Sequence, residues 1–211
     1  QEFKPPSRVL MGAGPSSVHP RVLQAMTMPI VGHLDPVFFQ CMDDVCSMLR
    51  TVFQTSNKLT IPMSTTGTGG MEAAICNVLE RGDVAVIAVN GFFGMRLADI
   101  ATRCGAQVHT VDFPLGRPVT PDEVAEEMKK HSSVKMLAVV HAETSTGVIS
   151  PLSELADIAR RHDALLAVDA VTSLGGVEVA VDDWNIDICY SATQKCLGAP
   201  PGLAPITIGP R

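Results

Sequence analysis

From residue 59 onward the chain alternates two kinds of apolar pattern. Short runs at 59–64, 84–89, 106–111, 135–140, 165–168, 187–190 and 205–208 read as strands. Several, such as Val84-Ala85-Val86-Ile87-Ala88-Val89, are apolar at every position. The runs between them at 71–80, 95–104, 121–131 and 151–162 carry their apolar residues on one face and read as helices. Thr120-Pro121-Asp122-Glu123 and Pro151 with Ser153-Glu154 are helix-start chemistries, offering a capping hydroxyl, a preset φ and acidic groups for the dipole. A strand that is apolar on both faces needs cover on both sides. The pattern therefore predicts an α/β fold, with a mostly parallel central sheet and helices on both faces.

Ahead of that alternation, Val37, Phe38, Cys41, Val45, Met48, Leu49 and Val52 recur at helical spacing, with Asp43, Asp44 and Arg50 opposite. This predicts one long amphipathic helix from Pro36 to near Thr55. A short helix is expected from Pro20 to Met28, with proline in its first turn. Residues 1–19, rich in Gly, Pro and Ser, are expected to form an extended arm before a main domain of residues 20–211.

Composition narrows the function classes. With 211 residues, 46% hydrophobic and 18% charged, the chain can bury one large core. The net charge of −6 and the lack of any Lys/Arg cluster argue against nucleic acid and against an anionic membrane surface, leaving small molecules as expected partners. No apolar run is long enough to span a bilayer, and the N-terminus lacks the basic-then-apolar pattern of a secretion signal. The six cysteines stand singly among apolar residues, without metal-ligand spacing. They read as reduced core residues of a cytoplasmic protein with no metal site.

In parallel sheets, ligands sit beyond the carboxyl ends of the strands. After the first strand, Ser64-Thr65-Thr66-Gly67-Thr68-Gly69-Gly70 opens into a helix; free N–H groups and the helix dipole would suit an anion there, and a tight structural turn is the alternative. After the second comes Asn90-Gly91-Phe92-Phe93-Gly94. Phe92 is expected in the core, and Phe93 either there or as a ring face for a flat ligand. His141-Ala142-Glu143-Thr144-Ser145-Thr146-Gly147 reads as a hydrogen-bonding loop. Asp169 ends a fully apolar strand, where a carboxylate should face a cation or a protonated nitrogen, or else cap the segment that follows. One strand later, Ser191-Ala192-Thr193-Gln194-Lys195 places an amine between a strand end and a Gly/Pro-rich loop, a setting for a Schiff-base lysine or for a solvated surface lysine.

A phosphate cradle, an aromatic plate, a strand-end Asp and a strand-end Lys are the parts that pyridoxal phosphate chemistry uses. Together with Gly12-Ala13-Gly14-Pro15-Ser16, Glu143-Thr144-Ser145-Thr146-Gly147, Val168-Asp169-Ala170-Val171-Thr172 and Lys195-Cys196-Leu197-Gly198-Ala199-Pro200-Pro201-Gly202, they make the chain resemble the class V aminotransferases of fold-type I. The nearest likeness is to the alanine-, serine- and ureidoglycine-glyoxylate enzymes.

The resemblance implies a cofactor, pyridoxal 5'-phosphate, and assigns roles by position. Lys195 matches the Schiff-base lysine and Asp169 the partner of the pyridine nitrogen. Thr68, Gly69 and Gly70, helped by Gln194, match the phosphate loop. Phe93 falls where an aromatic stacks on the ring, Val171 on the opposite face, and Thr144 beside the ring's phenolic oxygen. The Gly12–Ser17 arm matches the substrate entrance. The resemblance further implies a homodimer, and a smaller C-terminal domain beyond Arg211 that binds the substrate carboxylate.

The expected reaction is transfer of an amino group from a small amino acid (alanine, serine or ureidoglycine) to a 2-oxo acid, glyoxylate or pyruvate. Two rivals remain. One is another class V reaction, such as a cysteine desulfurase or lyase, against which stands Phe93, where a desulfurase would stack His. The other is a non-catalytic interaction fragment.

Overall fold

The structure, a computed structural model, describes residues 2–211, and Gln1 of the expected arm lies outside them. Two helices, α1 (Pro20–Ala25) and α2 (Pro36–Phe53), come first. Then follow β1 (Leu59–Met63), α3 (Gly67–Cys76), β2 (Val84–Val89), α4 (Phe92–Arg103), β3 (Gln107–Asp112), α5 (Pro121–Met128) and β4 (Met136–Val140). The short strands β5 (Ala142–Glu143) and β6 (Val148–Ile149) precede α6 (Leu152–Arg161), β7 (Leu165–Asp169), β8 (Ile188–Tyr190) and β9 (Ala204–Ile208).

Seven of the strands form one sheet in the order β1-β9-β8-β7-β4-β2-β3. Within it β8, β7, β4, β2 and β3 run parallel to one another, while β9 is antiparallel to both β1 and β8. The reversal at β9 has a local cause. Residues 191–203 contain no helix to carry the chain back across the sheet, so the next strand enters from the end where the last one stopped.

Strand alternation divides the core into two layers. Val86, Ala88, Leu137, Val139, Leu166 and Val168 pack with Val124 and Met128 of α5 and with Leu155 and Ile158 of α6. Their neighbours Ala85, Ile87, Met136, Ala138 and Ala167 face Met71 and Ile75 of α3 and Leu97 and Ile100 of α4. Each fully buried Leu, Ile or Met contributes about 1.5–3 kcal/mol. The mostly parallel α/β sheet expected from the sequence is thus present, with its helices on both faces.

Helices α3 and α4 begin several residues before their expected starts, so both glycine-rich turns are already first helical turns. Glycine dilutes the apolar periodicity there, but close packing requires it: a Cβ on Gly70 would lie 2.8 Å from the Ala204 Cβ. The long helix α2 forms where expected, capped by the Asp35 carboxylate on the Val37 N–H at 2.8 Å. Its predicted apolar face is mostly uncovered, however. Val37 and Met48 are exposed, and the helix reaches the core through Leu49 and Phe53, with Val45 partly buried beside them, because it meets the sheet at its C-terminal turns.

The cysteine expectation needs correction. Cys76 and Cys104 form a disulfide, Cys41 and Cys196 are exposed, and Cys189 is the fully buried thiol. The bridge joins residues separated by 28 positions, since the repeated strand-helix unit lays α3 and α4 side by side and brings their C-terminal ends together. Among the described residues, no helix is long and apolar enough to cross a membrane.

Candidate active site

Asp169 closes β7 in the middle of the sheet and is 2% exposed. Its Oδ1 accepts the Val171 N–H at 2.8 Å, and its Oδ2 accepts the Tyr190 hydroxyl at 2.9 Å. The carboxyl therefore does cap the following turn, one of the two expected roles, while its other oxygen points along β8. Burial pushes its pKa up to about 6, against the pull of these hydrogen bonds, and the Glu143 charge adds to the rise while Lys195 opposes it.

Lys195 follows β8 and is half-buried. Burial lowers its pKa, and the field of Asp169 works in the opposite sense. Its Nζ donates to the Ala13 carbonyl of the N-terminal arm. The arm is fastened at the same place by Ser16, whose N–H donates to the Gln194 carbonyl at 2.8 Å and whose hydroxyl donates to the Lys195 carbonyl at 2.8 Å. Gly14, at φ +117°, crosses so close that an added Cβ would stand 2.5 Å from Lys195 Nζ. Only glycine adopts that backbone freely and leaves the room.

Arm and loops enclose a cleft of about 770 Å³ lined by Gly12, Ala13, Thr144, Thr172, Ser173 and Lys195, among others. The structure thus brings Thr144 and Lys195 to the same cleft. Asp169, Val171, Gln194, Phe93 and the 68–70 turn are not among its lining residues. Thr144 is hydrogen-bonded, hydroxyl to hydroxyl, with Thr172. The buried Gln194 Oε1 and Ser173 Oγ have no partner.

The first turn of α3 lies against this region: a Cβ on Gly67 would meet Ala192 Cβ at 3.0 Å and Val171 Cγ2 at 3.3 Å. Its N-cap Thr66 makes no side-chain cap bond, and the N–H groups of the first turn cannot find partners within the helix. The Thr68 hydroxyl accepts from Arg96 Nη1 at 2.9 Å, and the Arg96 guanidinium lies 4.7 Å over the Phe92 ring and 5.3 Å over Phe93.

The first turn of α4 is closed instead. Glu143, fully buried, accepts the Phe93 N–H at 3.1 Å and the Gly94 N–H at 3.3 Å through Oε2, and the Ser145 N–H and hydroxyl at 3.0 and 2.7 Å through Oε1. Phe93 is partly buried against the α3/α4 core layer, whereas Phe92, expected in the core, is 48% exposed. A helix start turns successive side chains by about 100°, so only one of the adjacent pair can face inward.

Sequence reasoning missed Arg96, Tyr190 and the capping role of Glu143. Tyr190 carried a signal, a hydroxyl at the end of an apolar strand; the other two act on residues 28 and about 50 positions away and leave none. His141 is buried and held neutral by its surroundings, with a pKa pushed down to about 4. It stacks edge-on against Trp184 at 5.8 Å.

The profile of the aminotransferase class-V family matches residues 9–209. The chain belongs to the class-V aminotransferase family. Among class-V relatives, alanine--glyoxylate aminotransferase of Drosophila melanogaster is 42% identical over 98% of this chain and 52% of its own length. The (S)-ureidoglycine--glyoxylate transaminase of Bacillus subtilis is 44% identical over 100% of this chain and 50% of its own. A crystal structure of alanine--glyoxylate aminotransferase from Nostoc sp. superposes with a TM-score of 0.97 at 48% identity, covering all of this chain and 55% of that one. The chain spans about half the length of the relatives it matches.

Proposed function

We propose that this chain carries the cofactor site of a pyridoxal 5'-phosphate-dependent transaminase, moving an amino group from alanine, serine or ureidoglycine to glyoxylate or pyruvate. The observation that carries the reading is the pair that follows neighbouring strands, a buried Asp169 whose oxygens are fixed by Val171 and Tyr190 and a half-buried Lys195 that lines the cleft, burial raising the pKa of the acid and lowering that of the amine. The names of the class-V relatives point to the same amino-group chemistry.

The residues fit the cofactor. The uncapped first turn of α3 offers the N–H groups of Thr68 and Gly69 to a phosphate, and Gly70, whose N–H donates to the Thr66 carbonyl at 3.0 Å, leaves room for it by having no side chain. The partnerless end of the Gln194 side chain, with its amide turned over, offers an NH2 to the same anion. A protonated ring nitrogen beside Asp169 would draw its carboxyl back to the ionised form that burial opposes. Phe93 and Val171 are assigned to the two ring faces, and the Thr144 hydroxyl to the ring's phenolic oxygen.

When bound, the cofactor supplies a carbonyl that captures amines and a cationic ring that accepts electrons. Lys195 provides the amine for covalent attachment, and once released it can hold and return a proton at Nζ, since burial favours its neutral form. Asp169 keeps the ring nitrogen protonated by offering a negative charge where water is excluded. The arm covers Lys195 and forms the entrance through which a small amino acid would pass.

Reduction of the cofactor-loaded protein with borohydride should leave a phosphopyridoxyl group on the Lys195 peptide, read by mass spectrometry, and Lys195→Ala should lose it. The same label on another lysine would sink the site assignment. A supply of alanine and glyoxylate should yield pyruvate; no product from any amino donor would remove the transaminase reading and leave the cofactor site standing.

We assign the exposed apolar residues Met11, Leu23, Met28, Ile30, Val37 and Phe39 to the contact of a homodimer, so sedimentation at the monomer mass would count against it. The four free thiols favour a cytoplasmic setting, and the Cys76–Cys104 bridge is the observation that weighs against it.

A further inference from the structure

On the far edge of the sheet, His109 of β3, Glu127 in the last turn of α5 and His131 just after that helix bring their donor atoms within 4.8 Å of one another. His131 Nε2 stands 3.2 Å from Glu127 Oε1, and the two imidazole rings are stacked 4.0 Å apart at 41°. Glu127 and His131 are four residues apart and so share one side of the helical path. Lys130 ion-pairs with Oε2 of Glu127 at 2.7 Å, which leaves Oε1 turned toward the histidines. The Glu127 and His131 side chains are only 18% and 16% exposed, so their interaction is weakly screened by water.

We propose that His109, Glu127 and His131 form a binding site for a zinc-class divalent cation, which ties the end of α5 to the edge strand of the sheet. Two imidazoles and one carboxylate are a ligand set suited to zinc, and tetrahedral bonds of about 2.0–2.2 Å place ligand atoms about 3.3–3.6 Å apart. The Glu127–His131 pair already stands near that spacing, and rotation of the His109 ring brings in the third donor. Stacked imidazoles repel if both are protonated, while one metal ion satisfies both rings in their neutral form. The site is independent of the cofactor chemistry, being built from other elements at another edge.

Calorimetric titration of zinc ion alone into the purified, reduced protein should show a site that His109→Gln and His131→Gln each weaken more than roughly 100-fold, beyond the 10–100-fold span of outer-shell changes. Glu127→Gln should weaken it about tenfold. X-ray absorption of the zinc-loaded protein should show nitrogen and oxygen neighbours with imidazole scattering. Absence of binding at micromolar zinc, binding that survives both histidine substitutions, or sulfur in the coordination shell would overturn the proposal. The two histidines lie on different elements, so a variant that fails to fold leaves the other, and the absorption spectrum of the parent protein, to decide.

Discussion

Helices α3 and α4 start alike and end up chemically opposite. Each follows a strand of the same sheet through a glycine-rich turn, and the two pack side by side on one face. At α4 the first-turn donors are taken by the buried Glu143 carboxylate, which also holds Ser145. At α3 the N-cap threonine makes no such bond, and the donors stay free beside Val171 and Ala192. A positive helix end can therefore serve as structural glue or as a receptor, depending on whether the chain supplies an internal anion. Behind them stand two buried carboxylates with a parallel contrast: Glu143 accepts four hydrogen bonds, while Asp169 accepts two and has its pKa raised to about 6.

Removing the internal anion tests this most severely. Glu143→Ala should cost about 4 kcal/mol, because it strands the buried Gly94 N–H and three partly buried donors and leaves a void, and should lower the melting temperature by roughly 8–16 °C. A loss under about 1 kcal/mol in urea unfolding would mean that α4 does not depend on its internal cap.

Asp169 sharpens the contrast through pH. Its folded pKa is raised from 3.8 to about 6, so between those values the folded state holds a proton that the unfolded state has released. In the cofactor-free protein its contribution is complete below pH 4 and is lost as pH rises through 6, a change of about 3 kcal/mol. Relative to the parent, Asp169→Asn should gain by that amount between pH 3.5 and pH 7. A pH-independent difference would refute the burial argument.

Closing the open end is a smaller intervention. Thr66→Asp puts a carboxylate at an N-cap already in the extended conformation, at φ −82° and ψ 171°. It should stabilise the cofactor-free protein by about 1 kcal/mol and weaken pyridoxal 5'-phosphate binding at least tenfold in an absorbance titration. Unchanged affinity would show that α3 is not the phosphate receptor. Smallest of all, Arg96→Ala should cost about 0.5–1 kcal/mol, since its stacking on Phe92 is partly solvated.

Much of the fold could be read from the chain because its cause is local. Strands such as Val84–Val89, apolar on both sides, can exist only between two helical layers, and the residues after them had to lie at one edge of a parallel sheet. Those ends singled out Asp169, Lys195 and the 67–70 turn. The antiparallel return at β9 was less visible, as strand direction depends on what the connecting loop lacks. The exposure of Phe92 was missed because two adjacent aromatics look equally core-like until the helix phase is known.

The order of residues by itself determined the alternation of elements, the strand-end positions of the acid and the amine, and the family. Tertiary structure decided which groups have partners. Glu143 closes α4 from about 50 residues away, Tyr190 and Val171 take the oxygens of Asp169, and Ala13 meets Lys195 across 182 positions. His109 reaches Glu127 and His131 in the same manner. Apolar periodicity is written along the chain because burial acts residue by residue; hydrogen-bond pairing and desolvation depend on distances in space, and these exist only once the sheet has formed.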